Sequence, residues 1–137
     1  MMTATATAQN VGTIVQVIGP VLDIEFQPEK LPEIYSAIRV DDESGPLPVH
    51  LVAEVQQHVG QNVVRAVAMS STDGVSRGMQ ALDTGGPITA PVGDAPLGRI
   101  LNVLGEPVDG GAPIPAGVER WPIHRATPRY VDLEPKT

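Results

Sequence analysis

Residues 10–26 show the clearest alternation of apolar and polar side chains in the chain, and they predict two strands joined by a bend at Gly19-Pro20. Glycine tolerates backbone angles closed to other residues, and proline offers no N–H to a sheet, so this pair suits a sharp bend. In the second strand, one face is apolar and carries Leu22, Ile24 and Phe26. The opposite face is acidic and carries Asp23 and Glu25. The pattern predicts a half-buried strand.

The first strand is apolar on both of its expected faces. One face would carry Ile14, Gln16 and Ile18, and the other Thr13, Val15 and Val17. A strand of this kind is expected where one side lines a small barrel and the other side meets a neighbouring molecule. The pattern therefore predicts a protein partner.

Shorter alternating runs predict four more strands, at residues 35–40, 47–55, 63–69 and 80–83. Pro48 marks the beginning of a strand or a sheet edge. Residues 41–45 are expected to form an acidic turn, and residues 57–62 the next turn. Short strands separated by turn residues at this spacing indicate an antiparallel all-β unit, and closure into a small six-stranded barrel would remove exposed sheet edges.

The composition changes in the second half of the chain. Residues 1–70 contain 4 Gly and 5 Pro, whereas residues 71–137 contain 10 Gly and 9 Pro. Only residues 97–104 have apolar side chains at helical spacing, which Gly98 weakens and Gly105 would end. A long stretch of turns without a core of its own predicts the beginning of a second domain.

Composition and charge exclude several classes of function. The net charge is −7, and no run of Lys or Arg occurs, which argues against binding to nucleic acid or to an anionic membrane surface. With no cysteine, the chain has neither disulfides nor thiolate chemistry. No apolar run reaches the roughly 20 residues that a membrane helix needs, so direct membrane insertion is not expected. Residues 1–9 lack the features of a signal peptide and predict a disordered tail.

Signatures of catalysis or metal binding are absent from the sequence. His50, His58 and His124 lie far apart, without metal-ligand spacing. Lys136-Thr137 resembles the end of a phosphate-binding loop, but Pro135 stands where that loop needs glycine. The acidic pairs Asp23/Glu25 and Asp41/Asp42 are interpreted as solvated strand or loop positions. Asp73 is expected to cap a turn and Arg77 to pair with a carboxylate. The sequence predicts no catalytic, cofactor-binding or metal-binding residue.

Several segments together resemble the beta-subunit family of F-type ATP synthases. The resemblance runs from residue 10 to residue 136, with residues 110–121 as a variable part. It rests on VIGPVLD (17–23), EVQQ (54–57), VRAVAM (64–69), TDG with RG (72–74, 77–78), DTGGPI (83–88), VG-x3-LGR-x2-N-x2-G-x-P-x-D (92–109) and IHRATP (123–128). The segments at 83–88 and 123–128 are similar to beta and not to alpha subunits.

The resemblance implies a six-stranded N-terminal barrel at about residues 10–88, followed by the start of an α/β nucleotide-binding domain at residues 89–137. In that family, alpha and beta barrels alternate in the crown of a hexamer, in indirect contact with gamma, delta and epsilon subunits. The parent enzyme couples proton flow to ATP synthesis on the cytoplasmic or stromal side of a plasma or thylakoid membrane. Its phosphate loop, catalytic glutamate and adenine-contacting aromatics would follow Thr137. No catalytic residue or Mg-ATP ligand is therefore carried over, and this chain alone is expected to be inactive.

Two alternatives remain open at this point. The chain could be an autonomous β-barrel interaction module, which an ordered native end at Thr137 would favour; disorder from about Gly105 would favour a piece of the catalytic subunit. It could also resemble a flagellar or vacuolar ATPase subunit, against which the segments at 83–88 and 123–128 count.

Overall fold

The computed structural model describes residues 9–133, so most of the predicted N-terminal tail and the Lys136-Thr137 pair lie outside the described residues. Within that range the chain forms eight strands and one short 3-10 helix. They are β1 (Asn10–Ile18), β2 (Val21–Glu25), β3 (Ser36–Asp42), β4 (Val49–Gly60), β5 (Val63–Ala68), β6 (Gln80–Pro87), β7 (Thr89–Pro91), β8 (Arg120–Pro122) and the 3-10 helix Tyr130–Asp132.

The first six strands close into a barrel in the order β1-β2-β5-β4-β3-β6, and every pairing is antiparallel. Closure is made by β1, which pairs with β2 along one edge and with β6 along the other. The predicted closed six-stranded antiparallel barrel is confirmed. Each strand has a neighbour on both sides, so the barrel has no free sheet edge.

The barrel interior is filled almost entirely by aliphatic side chains, as the low aromatic content predicts. Each fully buried side chain of this size contributes roughly 1.5–3 kcal/mol relative to an exposed one. The largest are Ile14, Leu22, Ile24, Ile38, Val40, Val55 and Val64. Phe26 adds the one phenylalanine of the chain to this core.

The predicted faces of β1 are wrong, because the strand contains a β-bulge. Its register against β2 shifts between Ile14 and Gln16, and an extra residue reverses which side chains point inward. Ile14 is buried before the bulge, whereas Val17 packs against the core after it and Ile18 is exposed. The outward face is therefore mixed, not continuously apolar, and the neighbour inferred from it stays a prediction.

Two strands are longer than predicted. β4 continues through the residues expected to form a turn at 57–62 and ends at Gly60, leaving Gln61-Asn62 to turn the chain. The polar end of β4 pairs with β5. The pairing contains two register shifts, which accommodate the residues that do not alternate between apolar and polar. β6 likewise runs past residue 83 to Pro87, pairing with β3.

Residues 97–104 do not form a helix, in spite of their helical spacing. Gly98 has a φ of 72°, which lies in the left-handed region and interrupts a right-handed helix. The Asn102 side-chain oxygen then accepts the backbone N–H groups of Leu104 and Glu106, at 2.9 and 3.0 Å. This local capture of backbone donors stabilises a turn in place of a helix.

After β6 the chain lies against the outside of the barrel, in what is called here the outer segment (residues 89–133). Its regular features are a two-stranded ribbon, in which β7 pairs with β8, and the 3-10 helix Tyr130–Asp132. Gly105 packs so closely on Pro91 that an added Cβ would lie 2.5 Å from the proline Cδ. Among residues 9–133, no helix is long and apolar enough to cross a bilayer.

Candidate functional site

The three histidines lie in three separate environments, as their spacing predicts. His50 on β4 lies between two carboxylates, with Nδ1 2.9 Å from Asp41 and Nε2 3.0 Å from Glu43. These hydrogen bonds raise the pKa of His50, with Asp41 the larger cause. Arg39 and His50 together lower the pKa of Asp41. The group is exposed and forms a charged network on the barrel surface.

His58 performs a local structural role. Its Nε2 lies 2.7 Å from the backbone oxygen of Pro32, and this contact joins the end of β4 to the loop between β2 and β3. No reactive group accompanies it. The interpretation of His58 as an ordinary polar residue agrees with this geometry.

The prediction that the acidic pairs are solvated is wrong for Asp23, which is buried because Arg65 covers and neutralises it. Asp23 forms a two-pronged ion pair with Arg65 on β5, at 2.9 and 3.1 Å, and is itself buried. Glu25 is exposed. Asp42 accepts the hydroxyl of Ser44 and also its backbone N–H, the latter at 2.8 Å; the hydroxyl first and the N–H second lower the pKa of Asp42. A carboxylate neutralised by arginine or by turn donors is a structural group.

The turn at residues 71–74 is capped by a different side chain from the one predicted. Ser71 Oγ accepts the backbone N–H of Asp73 at 3.1 Å, and the Thr72 hydroxyl donates to the Gly19 carbonyl at 2.8 Å. The ion pairs formed within residues 9–133 do not include Arg77. In the same range, no three potential metal-ligating side chains converge.

The outer face of β3 and β4 is the one part of the barrel exterior that forms a second core. Ala37 and Val52 point outward there and are buried beneath Ile88, with Leu104 packed against them. Val52 and Glu54 are therefore buried on the outward face of β4. Beside this core lies a cavity of about 260 Å³, whose lining includes Arg39 and Arg120.

A polar contact joins the outer segment to β4 at the edge of this second core. His124, which follows β8, places its Nε2 2.9 Å from Glu54 Oε2 and stacks on Tyr35 with ring centroids 3.9 Å apart. Glu54 is only 5% exposed. The residue pair is separated by 70 positions in sequence. No local pattern could have signalled it, so sequence reasoning missed this contact.

The rest of the outer segment is organised by Arg99 and Asp109. Their two-pronged ion pair spans 2.8 and 3.1 Å, and Asp109 also accepts the backbone N–H groups of Ile100 and Gly111. Arg99, first among these donors, lowers the pKa of Asp109 far below its ordinary value. Both residues belong to the LGR-x2-N-x2-G-x-P-x-D pattern. The pattern singles out Arg99 and Asp109 in the sequence, but it does not show that they form an ion pair.

Apolar side chains are concentrated on the exposed side of the outer segment. Tyr130, Val131 and Leu97 are 89%, 78% and 71% exposed. Other exposed apolar side chains of this segment are Ile100, Val103, Val108 and Leu133. Where exposed apolar side chains form a patch, the patch marks a surface that contacts another protein or another domain.

One comparison identifies the barrel. Residues 14–85 match the family model described as ATP synthase alpha/beta family, beta-barrel domain. The chain belongs to the ATP synthase alpha/beta family. The matched range begins within β1 and ends within β6, so it spans the six strands that close the barrel. In this member of the ATP synthase alpha/beta family, the candidate functional features are surfaces, on the barrel and on the outer segment.

Proposed function

We propose that this chain is the N-terminal part of the catalytic beta subunit of a proton-translocating F-type ATP synthase. The supporting observation is the closed barrel whose strands coincide with the matched family range, residues 14–85. The choice of beta over alpha rests on the segments at 83–88 and 123–128. Under this proposal residues 10–88 form the crown domain and residues 89–137 begin the nucleotide-binding domain.

The proposed role of the barrel is assembly. Alpha and beta barrels would alternate in a hexamer, with gamma, delta and epsilon subunits contacted indirectly. The complex would lie at the cytoplasmic or stromal face of an energy-transducing membrane. Exposed apolar residues on β1, Val11 and Ile18, are candidates for contact with the neighbouring alpha barrel. The more exposed apolar surface of the outer segment would be covered by the remainder of the nucleotide-binding domain.

Sedimentation velocity of the chain mixed with isolated alpha or isolated beta subunits tests this role. We expect a faster-sedimenting complex with alpha subunits and none with beta subunits. Ile18→Lys should weaken the complex, whereas Gln57→Lys, the same charge change at an exposed neutral site on β4, serves as the charge-matched control. Equal association with both subunits, or with neither, would contradict the assignment to beta.

The chemistry of the parent subunit is proposed to reside in residues other than these. Mg-ATP and ADP would bind to the phosphate loop, for which residues 9–133 provide no glycine-rich cradle. Calorimetric titration of Mg-ATP into the chain should therefore give no saturable heat. Stoichiometric binding would contradict the proposed division between an assembly domain and a catalytic domain.

An autonomous interaction module is the second candidate. It is favoured by the completeness of the barrel core and by the absence, within residues 9–133, of buried side-chain polar atoms lacking a hydrogen-bond partner. The mass of the intact native polypeptide separates the two candidates. A larger product containing a G-x4-GK[ST] loop supports the catalytic subunit, and a product of this length supports the module.

A further inference from the structure

Three residues from three separate elements meet where the outer segment leaves the barrel. Tyr35 belongs to the loop before β3, Glu54 to β4, and His124 to the stretch just after β8. The rings of Tyr35 and His124 are nearly parallel, with an interplanar angle of 17°. The neighbouring Ile123 N–H donates to the Ile88 carbonyl at 3.0 Å, so main chain and side chains fasten the same point.

The backbone of Tyr35 is held in an uncommon conformation. Its φ is 74°, in the left-handed region that a bulky aromatic residue rarely occupies. Its N–H donates to the Val55 carbonyl at 2.8 Å, which holds the strained residue against β4. Strain of this kind persists where the surrounding structure uses the resulting side-chain direction. Here the direction places the phenol ring under His124.

The carboxylate of Glu54 makes the contact costly to break. One oxygen accepts the Gln56 side-chain amide at 2.6 Å, and the other lies 2.9 Å from His124 Nε2. Because Glu54 is buried, departure of His124 would leave one carboxylate oxygen without that donor. An unsatisfied buried acceptor is strongly disfavoured, so the contact resists opening.

We propose that Tyr35, Glu54 and His124 form a latch that fixes residues 120–124 on the outer face of β3 and β4. The latch sets the direction in which the chain leaves the barrel. It is a positioning device, and it goes beyond the proposed function because it does not depend on which subunit this chain represents. Loss of the latch should release β8 while the barrel stays folded.

Limited trypsin digestion of the full chain measures the latch directly. The Arg120–Trp121 bond lies within β8 and becomes a substrate only when the ribbon opens, whereas the Arg65–Ala66 bond lies within β5 and becomes a substrate only when the barrel opens. His124→Ala should accelerate cleavage at Arg120 by about fivefold, the factor expected for one lost hydrogen bond, and leave cleavage at Arg65 unchanged. His50→Ala, which removes an exposed histidine of the surface network, is the matched histidine control and should change neither rate.

The variant Tyr35→Gly distinguishes a local latch from a contact that stabilises the whole fold. Glycine accepts a positive φ, so the variant relieves the backbone strain and removes the aromatic stack together. We expect cleavage at Arg120 to accelerate while the thermal midpoint of the barrel is unchanged or raised. Fluorescence of Trp121, the one tryptophan of the chain, should change in both variants as its surroundings open.

Two outcomes would overturn the latch. One is unchanged cleavage at Arg120 in both His124→Ala and Tyr35→Gly. The other is a parallel increase in cleavage at Arg65 and Arg120 in both variants, which would mean that the contact merely stabilises the whole fold.

Discussion

The barrel buries its large apolar side chains, whereas the outer segment leaves many of its own exposed. The largest fully buried side chains all lie in the barrel, whereas the three most exposed large apolar side chains among residues 9–133 lie in the outer segment, at Leu97, Tyr130 and Val131. The barrel removes apolar surface from water by closing on itself. In the outer segment, Leu104 packs beside Ile88 against β3 and β4, and Pro91 is buried.

This difference separates a strongly held part of the chain from a weakly held one. A closed ladder and a continuous aliphatic core make the barrel the cooperative unit of the chain. The outer segment has turns, a short ribbon and the ion pairs Arg99–Asp109 and Arg129–Asp132, features typical of regions that open locally at low cost. In this chain, a stable barrel is therefore joined to a segment that exposes many of its apolar side chains.

The largest expected effect is that of deleting a core side chain. Leu22→Ala removes a side chain with no exposure and should lower the free energy of unfolding by about 2–5 kcal/mol. Leu97→Ala, the same change at a site 71% exposed, should alter it by no more than about 0.5 kcal/mol. Urea denaturation followed by circular dichroism measures both. A similar decrease in the free energy of unfolding in the two variants would contradict the contrast between a buried barrel core and an exposed outer segment.

A smaller and local effect is expected at Gly105. In Gly105→Ala the new Cβ would meet Pro91 at 2.5 Å, which should destabilise the turn around residues 102–106 by about 1–3 kcal/mol. Gly93→Ala shares the positive φ but meets no atom within 4 Å, so it isolates the contribution of the clash. Exchange of the Asn102 amide measures the turn. The thermal midpoint of the barrel should not change, and a clear drop would show that the two regions unfold together.

Acid should loosen the outer segment before the barrel. Arg99 and backbone donors lower the pKa of Asp109 below the ordinary value of 3.8, so its stabilisation is present above that value and is lost as the pH falls through the folded pKa. NMR of the Ile100 and Gly111 amides, both bonded to Asp109, follows this loss. Asp109→Asn should abolish the pH dependence, and its persistence would assign the effect to another group.

The smallest effect concerns His50 on the barrel surface. Asp41 and Glu43 raise its pKa, so the contribution to stability is complete below the unfolded pKa and is lost as the pH rises through the folded value. The thermal midpoint of the wild type should therefore fall slightly, relative to His50→Gln, between about pH 5 and about pH 8. Because the network is exposed, high salt should reduce the difference. A difference of opposite sign would contradict the assignment.

Most of the barrel could be predicted from alternation and turn residues. The bend at Gly19-Pro20 and the beginning of β4 after Pro48 follow from local chemistry, and both are observed. The faces of β1 could not be predicted, since one bulge at residues 14–16 reverses them. The end of β4 was missed because its polar residues are held by pairing with β5, a non-local contribution.

The contacts of the outer segment were beyond sequence reasoning for a different reason. Val52 and Glu54 alternate as if their face were solvated, and only the return of residues 88–124 across the barrel buries them. The helical spacing at residues 97–104 was overridden by Gly98 and by the Asn102 side chain. Local patterns report the intrinsic preference of a segment, whereas these outcomes depend on what packs against it.

Residue-resolved hydrogen exchange of the full chain tests the central claim most directly. We predict that amides of β2, β4 and β5 exchange only through global unfolding, with one shared high protection. Amides of residues 97–111 should exchange through local opening at much lower protection, and those of β8 at an intermediate level set by its contacts with the barrel. Uniform protection across residues 10–133 would contradict the division into a closed barrel and a weakly held outer segment.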